Sequence, residues 1–360
     1  PTTQTPSTQP PSTEPATTEP AQVPTDGDEA IATVLSAHVG TSAPTAVLAL
    51  TMDGATTRRA VAGTVSVDDD TQVTLDAQVD LGSDVKAMTA VVLAQVLDEH
   101  GLSVASTLAE VLPGVPMDDG YRSVTIAELL AHRAGLDDAA LGALLPDLAE
   151  LPEAEARDAG ARAALAMPPH DPLRAFAYSN AGYAIAGWIV EQLTGDAYMH
   201  QMQQRLFTPL AMDCSAGSPQ RPTSPVGHDE RGQPDGRDSP IPEVLTPAGR
   251  VSCTMEGWSH FVGAVMTLAS GAPSDLLPAD AAAALYTLPD GWEYVAGWLA
   301  QTNPIAGLFL AHDGSNLHWY ARAVLLVDSA QALLLAANAG DDSMPSMFDS
   351  LAQEVGTATE

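Results

Sequence analysis

Strand-like patterning occurs only towards the two ends of this chain, with roughly two hundred residues of mostly helical patterning between them. That distribution leaves few architectures open. After a helical stretch at 29–39, residues 43–50 and 58–67 alternate like two strands joined through Asp53-Gly54. Strand lengths and turn-like junctions return at 294–300, 305–311, 319–328 and 331–338, and 343–355 has the spacing of a closing helix. Strands from both termini share a core most simply by joining one sheet. The expected fold class is therefore α/β of the α+β type: an antiparallel sheet built from 28–80 and 291–360 with flanking helices, and a mostly helical inserted region at 81–290. The insert would face the sheet across a cleft, the usual place for a site between two subdomains.

Residues 1–24 are almost entirely Pro, Thr, Gln, Ser, Glu and Ala, a composition that cannot bury a core. We read 1–27 as a disordered Pro/Thr-rich tether, of the kind that follows a cleaved export signal and holds a domain off a membrane or wall, and 28–360 as one domain. The expected location is extracytoplasmic: secreted, periplasmic or tethered to the surface of a bacterial cell. No apolar run reaches the roughly 18 residues of a membrane span. The net charge of −32, from 46 acidic and 14 basic residues, argues against nucleic acid or anionic lipid as a partner. Lys86 is the only lysine, and an acid-rich, lysine-poor surface suits a salt-rich environment, where screening relieves self-repulsion. Cys214 and Cys253 fit neither a disulfide-dense scaffold nor a paired-CxxC zinc site, and are either paired with each other or simply buried. The nine histidines lack HExxH or His-x-His spacing, so neither a metal nor a cofactor is expected.

Three short segments carry chemistry. In Leu81-Gly82-Ser83-Asp84-Val85-Lys86, Ser83 precedes the apolar helical run 91–97, and a spacing of three puts Lys86 one turn on and on the same face. Burial and the positive helix end both disfavour an ammonium there, so the amine can act as a base on the Ser83 hydroxyl, while the same helix end favours a nearby oxyanion. Phe176-Ala177-Tyr178-Ser179-Asn180-Ala181-Gly182-Tyr183 opens a second apolar helix, 184–193. Its Tyr178 offers a phenol for proton transfer, and its Asn180 an amide to orient an amine or hold a substrate carbonyl. Taken alone, a Tyr-x-Asn is more often just a helix-start turn. His312-Asp313-Gly314-Ser315 follows the strand 305–311, and a glycine beside a strand permits close ligand approach, though such a segment is also an ordinary polar turn.

In this order the three elements resemble the serine penicillin-recognising enzymes, in particular the class C β-lactamase and D-alanyl-D-alanine carboxypeptidase branch and its esterase relatives. The likeness extends through 81–90, Val111-Leu112-Pro113, 124–136, 178–195, Pro209-Leu210-Ala211-Met212 and Pro247-Ala248-Gly249. It implies a β-lactamase/transpeptidase-like fold. It also implies a serine hydrolase with Ser83 as nucleophile and Lys86 and Tyr178 sharing the proton work. Asn180 positions, His312 and Gly314 form the strand-edge motif, and the N–H groups of Ser83 and Ser315 make the oxyanion hole. His132, in the family's Leu-Leu-x-His-x-x-Gly-Leu stretch, reads as structural.

One departure stands out. The family's third motif has Thr or Ser where this chain has Asp313, which is expected to repel a substrate carboxylate. The expected partner is a small-molecule or cell-wall-derived substrate. Two other readings remain: a carboxylesterase of the same fold preferring neutral esters, and a catalytically silent wall-binding or sensor module, which the intact Ser83, Lys86 and Tyr178 argue against.

Overall fold

The computed structural model describes residues 23, 25–170, 173–305 and 307–359. The first strands in chain order are Thr25–Gly27 (β1), Ala46–Asp53 (β2), Thr56–Ser66 (β3), Asp69–Gln72 (β4), Gln78–Asp80 (β5), Cys214–Ala216 (β6) and Val251–Thr254 (β7). Tyr294–Val295 (β8), Trp298–Asn303 (β9), Gly307–Ser315 (β10), Tyr320–Leu326 (β11) and Gln331–Ala337 (β12) follow. The main sheet has the order β1-β3-β2-β12-β11-β10-β9-β8, with β4 on β3, and every pairing is antiparallel. The two ends of the chain meet where β2 pairs with β12, for example Leu50 with Leu334. This is the sheet expected from the two strand clusters.

Period-two alternation sorts the sheet residues between two apolar layers. Val47, Ala49, Leu335 and Ala337 pack with Ile31 and Leu35 of the helix Glu29–Ser36 and with Phe348 and Leu351 of the helix Met344–Thr359. Leu48, Leu50, Leu334 and Ala336 face the larger core on the other side. There the helix Val85–Glu99 is buried almost all round, as its lack of a polar face requires.

Four expectations need correction. Thr25–Gly27 pairs with Ala60, Val61 and Ala62, so the folded domain begins inside the expected tether; the rest of that segment lies outside the described residues except for Val23. β5, expected in the main sheet with the rest of 28–80, instead joins β6 and β7 of the mostly helical region in a second, three-stranded sheet. Strands of three or four residues are too short to show a period. The expected strand 294–300 is two strands with a turn at Ala296 (φ 50°) and Gly297 (φ 88°). The strand expected to end at 311 continues to Ser315. Cys214 and Cys253 are direct partners across β6 and β7 and are joined as a disulfide.

Candidate active site

Ser83 sits in a single 3-10 turn, Gly82–Asp84, that feeds directly into the helix Val85–Glu99. The turn is pressed against the end of β10, and two glycines make that approach fit. A Cβ on Gly82, which has φ +49°, would come within 2.6 Å of Ser315 N, and one on Gly314 would overlap the Leu81 carbonyl oxygen. The backbone N–H groups of Ser83 and Ser315 thus belong to the two segments held together here, and β9 pairs with β10 only as far as Ala311. The strand edge His312–Ser315 is left unpaired on that side.

Lys86 is fully buried, and its Nζ lies 2.9 Å from Ser83 Oγ, 2.8 Å from Asn180 Oδ1 and 2.6 Å from the Ala248 carbonyl oxygen. Desolvation lowers its pKa to about 7, against the opposing pull of Asp138 and Asp84. A neutral amine has two N–H donors and one lone pair. Asn180 Oδ1 and the Ala248 carbonyl oxygen can only accept, so they take the donors and the lone pair is left for the Ser83 hydroxyl.

Tyr178 is hydrogen-bonded to Ser83, and Lys86 Nζ lies 4.9 Å from its ring centroid. Its phenol pKa is raised, chiefly by burial, so although 42% of the residue is exposed it keeps its proton at neutral pH. Among these residues Lys86, not Tyr178, is the group that can be free of its proton.

Asn180 starts the helix Asn180–Thr194, with Ser179 as its N-cap through a bond from Gly182 N. Asp138, which the sequence reading did not single out, takes the remaining donors. Its Oδ1 accepts from Ser179 Oγ and Ala181 N, and its Oδ2 from Asn180 N and Nδ2. A carboxylate only accepts, so the Asn180 NH2 group must face Asp138 and the carbonyl must face Lys86. His132 is buried and in the left-handed region (φ 58°), with its ring 4.1 Å from that of Tyr178 and its Nδ1 accepting from Ser179 N. Burial, with Lys86 nearby, lowers its pKa to about 3. It supports Tyr178 as a neutral ring, in keeping with a structural role.

The third motif divides. His312 points inward, with Tyr294 Oη 3.1 Å from its Nε2, and burial lowers its pKa to about 3. Asp313 is not part of the cleft. Because β10 runs through to Ser315, alternation sends Asp313 to the opposite face of the sheet. There it accepts from Arg322 Nε (2.6 Å) and Nη2 (2.8 Å) and from Tyr320 Oη (2.6 Å), while Arg322 also reaches Asp349 of the last helix. The expected repulsion of a substrate carboxylate by Asp313 does not hold in this geometry.

A helix-opening serine and lysine beneath the edge of an antiparallel sheet, with a Tyr-x-Asn at the start of the helix Asn180–Thr194, define a serine hydrolase of the β-lactamase and transpeptidase fold. The chain belongs to the beta-lactamase family, whose model matches residues 31–354. It is 30% identical over 292 residues to penicillin-binding protein 4 of Amycolatopsis lactamdurans, with 74% of each chain covered. Two solved structures share the fold. A beta-lactamase/D-alanine carboxypeptidase from Pseudomonas syringae matches with a TM-score of 0.73 at 15% identity, over 92% of this chain and 98% of that one. A D-amino acid amidase from Ochrobactrum anthropi SV3, complexed with L-phenylalanine amide, matches with a TM-score of 0.70 at 19% identity, over 92% and 99%.

Proposed function

We propose that the chain hydrolyses amide or peptide bonds of small or cell-wall-derived substrates through an acyl-Ser83 intermediate. The observation that carries this assignment is the contact set of Lys86, which leaves its lone pair to Ser83 alone. Neutral Lys86 takes the Ser83 proton as Oγ attacks the substrate carbonyl carbon. The tetrahedral oxyanion is received by the N–H groups of Ser83 and Ser315, each such donor being worth about 3 to 4 kcal/mol of barrier. Tyr178 gives its proton to the departing nitrogen and is reprotonated by the Lys86 ammonium, which restores the neutral amine. Water then attacks the acyl carbon, its proton passes to the same base, and collapse returns the proton to Ser83 Oγ as the acid leaves.

Hydrolysis of neutral esters is a second reading favoured by one observation. His312, where the family's third motif carries Lys or His, is uncharged, so that position offers no cation to a substrate carboxylate. An extracytoplasmic location is supported by the Cys214–Cys253 disulfide, since such bonds persist in oxidising compartments. Attachment to membrane or wall would run through the N-terminal segment.

A fluorophosphonate label, followed by peptide mapping, is expected to sit on Ser83 and to be lost in Ser83→Ala. Turnover of D-Ala-D-Ala peptides, D-amino acid amides, p-nitrophenyl esters and a cephalosporin then sorts the substrates. A protein that is neither labelled nor active on any of them would be the silent binding module instead.

A further inference from the structure

Asp84 lies between the nucleophile and Lys86 in sequence, and none of the steps above uses it. Its side chain is fully buried, and neither carboxyl oxygen has a side-chain hydrogen-bond partner among the described residues. Oδ1 stands 3.8 Å from His312 Nδ1, which is also buried and unpartnered. Among the described residues the Gly314 backbone N–H is the one donor that bears on the carboxyl and favours its charged form, and two buried polar groups facing each other with so little else to pair with are costly unless a proton lies between them.

The direction of the hydrogen bonds on the other side of His312 tells where its protons are. The Tyr183 hydroxyl donates to the Leu130 carbonyl oxygen at 2.7 Å. A carbonyl can only accept, so the Tyr183 oxygen is left to receive the hydroxyl proton of Tyr294, to which it is hydrogen-bonded. With that proton committed, the Tyr294 oxygen meets His312 Nε2 as an acceptor at 3.1 Å, and Nε2 carries a hydrogen. Nδ1 would then be protonated only in an imidazolium, which burial and the neighbouring Lys86 disfavour. It presents a lone pair to Asp84. At 3.8 Å a carboxylate would face a lone pair, whereas a carboxylic acid can turn its hydrogen towards it.

We infer that Asp84 is a positioning residue that acts as a carboxylic acid, its O–H turned to His312 Nδ1, so that the two hold the strand edge against the Ser83 turn without placing a charge there. Other charged groups bear on the pair from three elements: Lys86 on its own helix, Asp313 on β10 and Arg322 on β11. Asp313 and Arg322 are bonded to each other on the far face of the sheet. Burial is the largest influence on Asp84 and raises its pKa well above the usual carboxylate range. A neutral Asp84 does not hold Lys86 as an ammonium, and this keeps the proposed base available.

The test reads the protons of His312 directly, and through them what Asp84 faces. In the full chain labelled with 15N-histidine, the His312 signal, identified by its loss in His312→Gln, should show a protonated Nε2 and a bare Nδ1 between about pH 6 and 9. An imidazolium or an Nδ1–H tautomer would overturn the inference, whatever the protein hydrolyses. A kinetic arm rests on the proposed function. Asp84→Asn offers an amide N–H to the same Nδ1 and should rescue kcat/KM to within about threefold, whereas Asp84→Leu should lose about thirtyfold or more. Equal losses in both variants would mean that Asp84 only fills space. A protein with the expected spectrum but no activity would instead count against the proposed function alone.

Discussion

Asp138 Oδ2 lies 2.8 Å from Asn180 N and 3.1 Å from Asn180 Nδ2, so a single carboxylate fixes both the backbone and the amide of the residue that holds Lys86. Its other oxygen grips Ser179 and Ala181, which makes Asp138 the anchor of a whole helix start.

Asp138→Ala removes four accepted hydrogen bonds at once. It should cost about 2 to 4 kcal/mol of stability, and it frees the Asn180 amide to turn its NH2 group towards Lys86. Turnover should fall at least about tenfold. Chemical denaturation and steady-state kinetics on the same preparation check both. Full activity in a destabilised protein would mean that Asn180 does not depend on Asp138 for its orientation.

How much of this could be read in advance depended on how local the signal was. Ser83 and Lys86 are one helical turn apart, and Tyr178 and Asn180 lie two positions apart where a helix starts, so each pair announces itself by residue type within a short segment. The sheet was legible for a similar reason, since its central strands are long enough to alternate. Asp138 was not, because it lies 42 positions from Asn180 and sits beside Asp137 in a loop-to-helix junction where an acidic residue is an ordinary cap. Ala248 contributes only a backbone carbonyl, which no side-chain pattern can mark. Tyr294 was masked in the same way, because its partner His312 is reached only through the sheet. Asp313 was misplaced by one strand boundary: ending the strand at 311 hid the alternation that sends His312 and Asp313 to opposite faces.

Asp313 should therefore behave as a structural residue. Asp313→Thr leaves Arg322 with Asp349 alone, and with Asp313 41% exposed the loss should be about 1 kcal/mol. Kinetics on one neutral ester and one cephalosporin should change by the same factor, within about threefold. A selective gain of about tenfold on the cephalosporin would put the Asp313 charge back in the cleft.

Gly314→Ala tests the close approach of strand and nucleophile turn. The added Cβ would overlap the Leu81 carbonyl oxygen and lie 2.7 Å from Asp84 Oδ2. Backbone atoms must give way, which separates Ser315 N from the Ser83 turn. Loss of an oxyanion donor costs about 100- to 1,000-fold in kcat. A folded Gly314→Ala protein with KM near wild type and kcat reduced on that scale is the expected result. An unchanged kcat would remove Ser315 N–H from the oxyanion hole.

Buried Lys86 also has a stability signature. Its folded pKa of about 7 lies below the ordinary 10.5, so between these values the unfolded chain binds more protons than the folded one. Below about pH 7 the full cost of the buried ammonium is present; it falls as pH rises, and stability from this group increases. Lys86→Met removes the cost. Its stability gain over wild type should be largest near pH 6 and shrink by up to about 1.4 kcal/mol for each pH unit above 7. A gain that does not vary with pH would mean that Lys86 is not desolvated.

The most direct test of the Ser83–Lys86 account is the rate at which Ser83 becomes acylated in a single turnover, followed by intact mass from about pH 5 to 9. The rate should rise to a plateau through one inflection near 7, the pKa to which burial brings Lys86. Lys86→Arg, with a guanidinium that stays protonated, should be slower by about 100- to 10,000-fold and should lack that inflection. Acylation of the Arg variant at the wild-type rate, or a wild-type rate with no inflection across this range, would contradict Lys86 as the base.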